Sequence, residues 1–262
     1  MLFDPPYVVH QLSRAQYEAQ FVARLCAGAA NIAAKWRPRI KKINASLRLS
    51  FASVFTHQSP CVKWSTIHRC ELADLLIAII DRTTRPGTGI ATLIQAKQSD
   101  TSSTHLTTHS EKEQFDLLSG RPTFDVDAKS APSGVDLTSY GPDNALMYGL
   151  TPPDTTPANS SAWSSHRWDT ADSLGSIATK YRISAGACLA ECLVEELESK
   201  RGWNFSIPPT KKDWSYFASR PVPDHWSALI NYLLQVTFFK PLKQLKGPTG
   251  AIVFEIDKRQ EK

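Results

Sequence analysis

Asp74, Gln95 and Lys97 are the residues whose types and spacing suit a reaction centre. They stand in Cys70-Glu71-Leu72-Ala73-Asp74-Leu75-Leu76 and, after a turn-rich stretch, in Leu93-Ile94-Gln95-Ala96-Lys97. An ionised carboxylate within an apolar strand is costly unless it is paired or bound to a metal. Gln95 and Lys97 are two apart, so on a strand both side chains project from one face. Pairing of the two strands across 81–89 would bring Asp74 beside them. A carboxylate, an amide oxygen and an ammonium in one cluster suit phosphodiester hydrolysis. Asp74 and the Gln95 side-chain carbonyl offer hard oxygens to Mg²⁺ or Mn²⁺, and the backbone carbonyl of Ala96 could add a third. Such an ion lowers the pKa of a bound water and offsets charge on the phosphorane. Lys97 would then position the water or stabilise the transition state. The plainer alternatives are a buried salt bridge from Asp74 to Lys97 and an edge or core hydrogen bond for Gln95.

These residues need elements to hold them. Ala15, Ala19, Val22, Cys26, Ala29, Ala33 and Trp36 recur at four- and three-residue steps, the signature of one helix face. Ser13 can cap that helix and Pro38 is expected to stop it. The small residues on this face would let it approach a sheet closely. Alternation over Ala45–Phe55 predicts a strand. Cys70–Ile80, apolar on both faces, predicts one central strand containing Asp74. Asp81–Gly89 predicts a hairpin loop and Ile90–Lys97 a third strand. Thr101–Ser110 reads as a loop, Glu111–Ser119 as a short helix and Ala145–Leu150 as a strand. The Pro/Gly/Ser/Thr/Asp-rich stretches 125–143 and 151–169 read as long loops. Ala171–Lys200 predicts a helix with a break near Ile183–Ser184. His225–Val236 predicts another helix and Gly250–Asp257 a last strand. The expected fold is an α/β sandwich with a central mixed sheet, built on a helix and a three-strand meander, with a mostly helical C-terminal part.

Asp74 on one strand and Gln95-Ala96-Lys97 on the next resemble the PD-(D/E)XK nuclease superfamily, in particular its Mrr-like restriction-endonuclease branches with a Q-x-K motif. The order helix, three strands, helix, strand is similar to that superfamily's core. The resemblance covers roughly residues 13–150, which would form the nuclease core, with 151–262 as a loop-rich and helical extension packed on it. It departs in two places: Ala73 precedes Asp74 where proline is usual, and Gln95 replaces the usual acid, so the site has one negative charge fewer. The resemblance implies a restriction-endonuclease-like fold, a Mg²⁺- or Mn²⁺-dependent endonuclease acting on DNA, and a setting in restriction or antiphage defence. It also implies that a glutamate of the first helix joins the site. Glu18 is the candidate, at the border of the apolar stripe, the alternative being a surface acid. Glu71 is a second candidate, but its parity places it on the face opposite Asp74. The missing acid motivates a different reading: a catalytically silent domain of this fold that binds nucleic acid or a partner protein. A structural subunit assembling through its C-terminal part is a third.

Further residues could touch substrate. His57 and Gln58 follow the first strand near the expected opening of the site, the alternative being a turn. Lys63 and the run Arg37, Arg39, Lys41, Lys42 could track phosphates, the alternative for the run being a solvated helix end. Dispersed tryptophans such as Trp203 and Trp226 could stack bases or anchor the core. Thirty basic against twenty-five acidic residues give a net charge of +5, which tolerates a polyanion without requiring one. Five scattered cysteines show no C-x-x-C pair and indicate neither a disulfide framework nor a zinc module. Cys188 and Cys192, four apart, read as buried small residues of a helix. No apolar run approaches the ~20 residues of a membrane span, and the N-terminus lacks the pattern of a signal peptide. The chain therefore reads as cytoplasmic, without membrane contact. Double-strand cleavage by one site per chain favours a homodimer, and a defence setting admits a partner ATPase or another subunit. No nucleotide-binding glycine motif is present in the chain itself.

Overall fold

The computed structural model describes residues 17–55, 61–66, 68–83, 87–98, 103–128, 131–140, 145–151, 169–171, 181–188, 202–207, 224–238 and 250–258. In chain order these give α1 (Tyr17–Ile43), β1 (Leu47–Phe55), β2 (Cys61–Lys63), β3 (Arg69–Glu71), β4 (Leu75–Asp81), β5 (Thr88–Gln98) and β6 (Ser103–His105). Then follow α2 (His109–Gly120), β7 (Asp125–Val126), β8 (Leu146–Thr151), β9 (Asp169–Ala171), β10 (Arg182–Cys188), β11 (Trp203–Ser206), α3 (His225–Phe238) and β12 (Gly250–Lys258). The architecture is α/β with a mixed sheet. The main sheet runs β1-β12-β4-β5-β8-β9-β10-β6, with β11 beside β5, and a small second sheet runs β3-β2-β7.

Side-chain parity divides the interior into two cores. Leu75, Ile77 and Ile79 of β4, Ile94 and Ala96 of β5, and Ile252 and Phe254 of β12 pack under α1. Leu76, Ala78 and Ile80 of β4, Leu93 of β5 and Tyr148 of β8 face the other way, into a core shared with Phe115 and Leu118 of α2 and Trp226, Leu229 and Leu233 of α3. The sheet is thus covered by α1 on one face and by α2 and α3 on the other.

The α1 stripe is buried as its spacing predicts, through Val22, Cys26, Ala29, Ala33 and Trp36. Its small residues allow a close approach to the sheet. A Cβ on Gly250 would collide with Val22 and stand 2.8 Å from Cys26 Sγ, so only glycine fits where α1 crosses β12. Pro38 does not stop the helix, which continues to Ile43. A proline inside a helix costs about 3 kcal/mol. Here Trp36 and Ile40 are buried on either side of it, and Arg37 Nε donates to the Leu49 carbonyl at 3.2 Å. Packing against β1 therefore outweighs the local penalty.

Three further expectations are corrected. Cys70–Ile80 is not one strand: β3 belongs to the small sheet, pairing with β2, and β4 to the main one. The meander is not contiguous either, because β12 inserts between β1 and β4, antiparallel to the first and parallel to the second. Residues 151–262 thus contribute a central strand to the sheet that the earlier part builds. Finally, the single long helix expected over 171–200 is not formed throughout, and the described residues after 151 comprise four strands and one helix. Where 171–200 reads as helix, Arg182–Cys188 is strand β10, pairing with β6 and β9. Cross-strand partners decide that segment over its local period. Cys188 is accordingly on a strand, and Cys192 lies outside the described residues.

Candidate active site

Asp74 sits at the bend immediately before β4, 8 % exposed, not inside a strand. Its backbone is tied to both neighbours: its N–H donates to the Ile94 carbonyl at 3.0 Å, and its own carbonyl accepts from the Gly250 N–H at 2.7 Å. The antiparallel pairing of β4 with β5 sets Leu75 opposite Ile94. One step further, the Asp74 side chain therefore meets the end of β5. Asp74 Oδ2 accepts from the Gln95 Nε2 amide and, at 2.8 Å, from the Ala96 N–H. On a strand the carbonyl of a residue leaves on the same side as its N–H, so the Ala96 carbonyl is directed to the same edge.

Gln95 and Lys97 share the parity of Leu93, the face covered by α2. Gln95 is 2 % exposed, and its Oε1 has no hydrogen-bond partner among the described residues. Lys97 is buried, with Nζ 4.0 Å from Glu111 Oε1. A buried ammonium is costly without a nearby opposite charge, and α2 supplies one. Glu111, the third residue of α2, closes a capping box with Thr108. Thr108 accepts from the Glu111 N–H, while Glu111 Oε2 accepts from the Thr107 N–H (3.0 Å), the Thr108 N–H (2.9 Å) and the Thr108 hydroxyl (2.9 Å). That fixes Oε2 and leaves Oε1 toward Lys97. Burial pushes the Glu111 carboxyl upward, but the Thr108 hydrogen bonds, the Lys97 charge and the Thr107 amide outweigh it, and the group is held below its ordinary value.

Behind this cluster a second set of polar groups lies between β3 and α2. Glu113, 8 % exposed, meets His68 Nδ1 at 3.0 Å and His109 Nε2 at 3.3 Å. Burial, and then the charges of Glu113, Cys61 and Glu71, push the Cys70 thiol up to about 12 against a smaller opposing effect of Lys97. Cys70 is therefore a protonated packing residue.

The structure thus brings Asp74, Gln95 and Lys97 together on the α2 side of the sheet, with the Ala96 backbone beside Asp74. Glu18 is in the first turns of α1, one helical turn before Val22, which packs at Gly250. Gly250 is bonded to Asp74, so that backbone position is at the same end of the sheet, although α1 covers the opposite face. The Glu18 side chain lies outside the described residues, as do His57 and Gln58. Lys63 is on the small sheet, its ammonium 2.8 Å from Asp127, which also holds Arg69 at 2.7 Å. Glu71 is exposed on β3. Arg37, Arg39, Lys41 and Lys42 line the exposed end of α1, on the face of the sheet away from Asp74. Trp203 and Trp226 are core anchors, packed edge-to-face at 4.9 Å with Trp226 Nε1 donating to the Trp203 carbonyl.

Sequence reasoning missed Glu111. The Thr108-x-x-Glu111 pattern is a readable helix-start signal, but nothing local connects it to Lys97. Among the described residues no three His, Cys, Asp or Glu side chains gather as a ready metal cage, and no helix is long and apolar enough to cross a membrane. No family model, no curated protein and no solved structure matches this chain.

Proposed function

We propose that this chain is a metal-dependent endonuclease that hydrolyses DNA phosphodiester bonds with a restriction-endonuclease-like sandwich of the PD-(D/E)XK type, in a restriction or antiphage setting. One observation carries the reading. The Asp74 carboxylate, the Gln95 amide and the Lys97 ammonium converge on one buried face, and Gln95 Oε1 is left there without a partner. A buried acceptor with no donor beside a carboxylate fits a hard cation. Asp74, Gln95 and the Ala96 carbonyl would hold it, and when bound it would supply an acidified water and charge stabilisation. Lys97, set in place by Glu111, orients the attacking water and offsets the charge developing on phosphate. Glu18 would complete the site from α1. A homodimer and a partner ATPase or other defence subunit belong to this reading, as do substrate contacts by His57, Gln58 and Lys63.

Plasmid DNA incubated with Mg²⁺ or Mn²⁺ tests it. Wild type should cleave, while Asp74→Ala and Lys97→Ala should each lose about 10²–10³-fold or more in rate. Equal cleavage by wild type and both variants would end the assignment.

The alternative, a catalytically silent domain of this fold that binds nucleic acid or a partner protein, draws support from one contact set. Asp74 Oδ2 is already satisfied by Gln95 and by the Ala96 N–H, and Gln95 adds no charge. Calorimetry separates the two, since a silent domain shows no Mg²⁺ or Mn²⁺ binding that Asp74→Ala removes.

A further inference from the structure

A buried polar atom without a partner loses its hydration for nothing, at a cost of about 1–3 kcal/mol, and native proteins keep few of them. Among the described residues two such atoms belong to facing positions of adjacent strands: Gln95 Oε1 and the Tyr148 hydroxyl. β5 and β8 run parallel with Gln95 opposite Tyr148. Both side chains project to the α2 side of the sheet, and Tyr148 is 0 % exposed. Its ring packs on Phe115 of α2, centroids 6.5 Å apart. Burial holds the hydroxyl protonated, and the charges of Cys70, Glu111, Asp116 and Asp74 add to that effect. Phenylalanine would fill the same space without an orphaned hydroxyl.

We propose that Tyr148 is a positioning residue of this site, its hydroxyl accepting a hydrogen bond from one water of the hydration shell of the divalent cation that Gln95 Oε1 would ligate. The inference rests on the nuclease reading above. It follows from what such a water needs: two or more polar partners, around an ion that keeps several of its waters. The depth of Tyr148 suits a water better than a phosphate group of a polymer.

The test is Mn²⁺ titration by calorimetry on wild type, Asp74→Ala and Tyr148→Phe, beside thermal melts of the metal-free proteins. Wild type should bind Mn²⁺, Asp74→Ala should not, and Tyr148→Phe should bind about tenfold more weakly. Metal-free Tyr148→Phe should melt no lower than wild type, because the change removes an unpartnered group. Unchanged Mn²⁺ affinity in Tyr148→Phe, with binding still lost in Asp74→Ala, would overturn this inference and leave the nuclease reading standing. A lower metal-free melting temperature, or failure to fold, would show the hydroxyl serving the fold, and would overturn it too. No Asp74-dependent Mn²⁺ binding in wild type would overturn both.

Discussion

Replacing Gln95 by glutamate separates the demands that the fold and a cation make on one side chain. The Gln95 amide donates to Asp74 Oδ2 inside the protein. A glutamate there loses that donor and sets two carboxylates side by side. Without metal, Gln95→Glu should lower stability by about 1–3 kcal/mol. A divalent ion between two carboxylates removes the repulsion and stabilises the folded state by mass action. Urea unfolding with and without Mg²⁺ should therefore show a larger Mg²⁺-dependent gain for Gln95→Glu than for wild type. A gain equal to wild type would argue for the silent domain. At this scale Asp74, Gln95 and Lys97 were legible because a carboxylate in an apolar run and a two-residue spacing are local facts. Tyr148 was not. Its residue type is ordinary for a strand, and only the parallel register of β8 on β5 sets it opposite Gln95.

At the scale of elements, α2 links a helix cap to the site. Glu111 closes the capping box with one oxygen and faces Lys97 with the other. Its carboxyl is held below its ordinary value, against the opposing effect of burial, by the Thr108 hydrogen bonds, the Lys97 charge and the Thr107 amide. A carboxyl whose folded pKa is depressed adds stability that is full above the unfolded value and lost as pH falls through the folded one. Glu111→Gln should thus be less stable than wild type near neutral pH, by about 1 kcal/mol for a weakened cap. The two should converge as pH drops below the ordinary glutamate range. Chemical denaturation at pH 7, 5 and 3 reads this directly, and a difference that grows toward low pH would contradict the assigned role. Most elements around the site follow from pattern: the α1 stripe, the alternation of β1, the apolar run of β4 and the helix at 225–238. The failures have a common cause. Pro38 stays helical because buried Trp36 and Ile40 hold the chain against β1. Arg182–Cys188 becomes a strand because β6 and β9 offer it edges. In each case packing or pairing with another element outweighs a local preference.

For the whole molecule, β12 is the element whose position no local pattern announces. It reads as a strand from its own residues, yet it lies between β1 and β4, where a meander would have joined those two directly. It also carries the close approach to α1 at Gly250, and Gly250 donates to the Asp74 carbonyl beside the cluster. The C-terminal strand therefore supports both the sheet and the backbone of the proposed metal ligand. A chain ending at residue 150 would leave the facing edges of β1 and β4 unpaired and would uncover Ile77 and Ile79 beneath α1. Such a fragment should show no cooperative melt. Cys26 provides a second readout. It is fully buried, its thiol pushed up to about 12 by burial despite a hydrogen bond from the Ala251 backbone. In the intact protein Cys26 should resist alkylation at pH 8, whereas in the fragment it should react at the rate of an unfolded chain. A cooperatively folding fragment with Cys26 still protected would show instead that β1 and β4 can close the sheet directly, with β12 an addition to a core that stands without it.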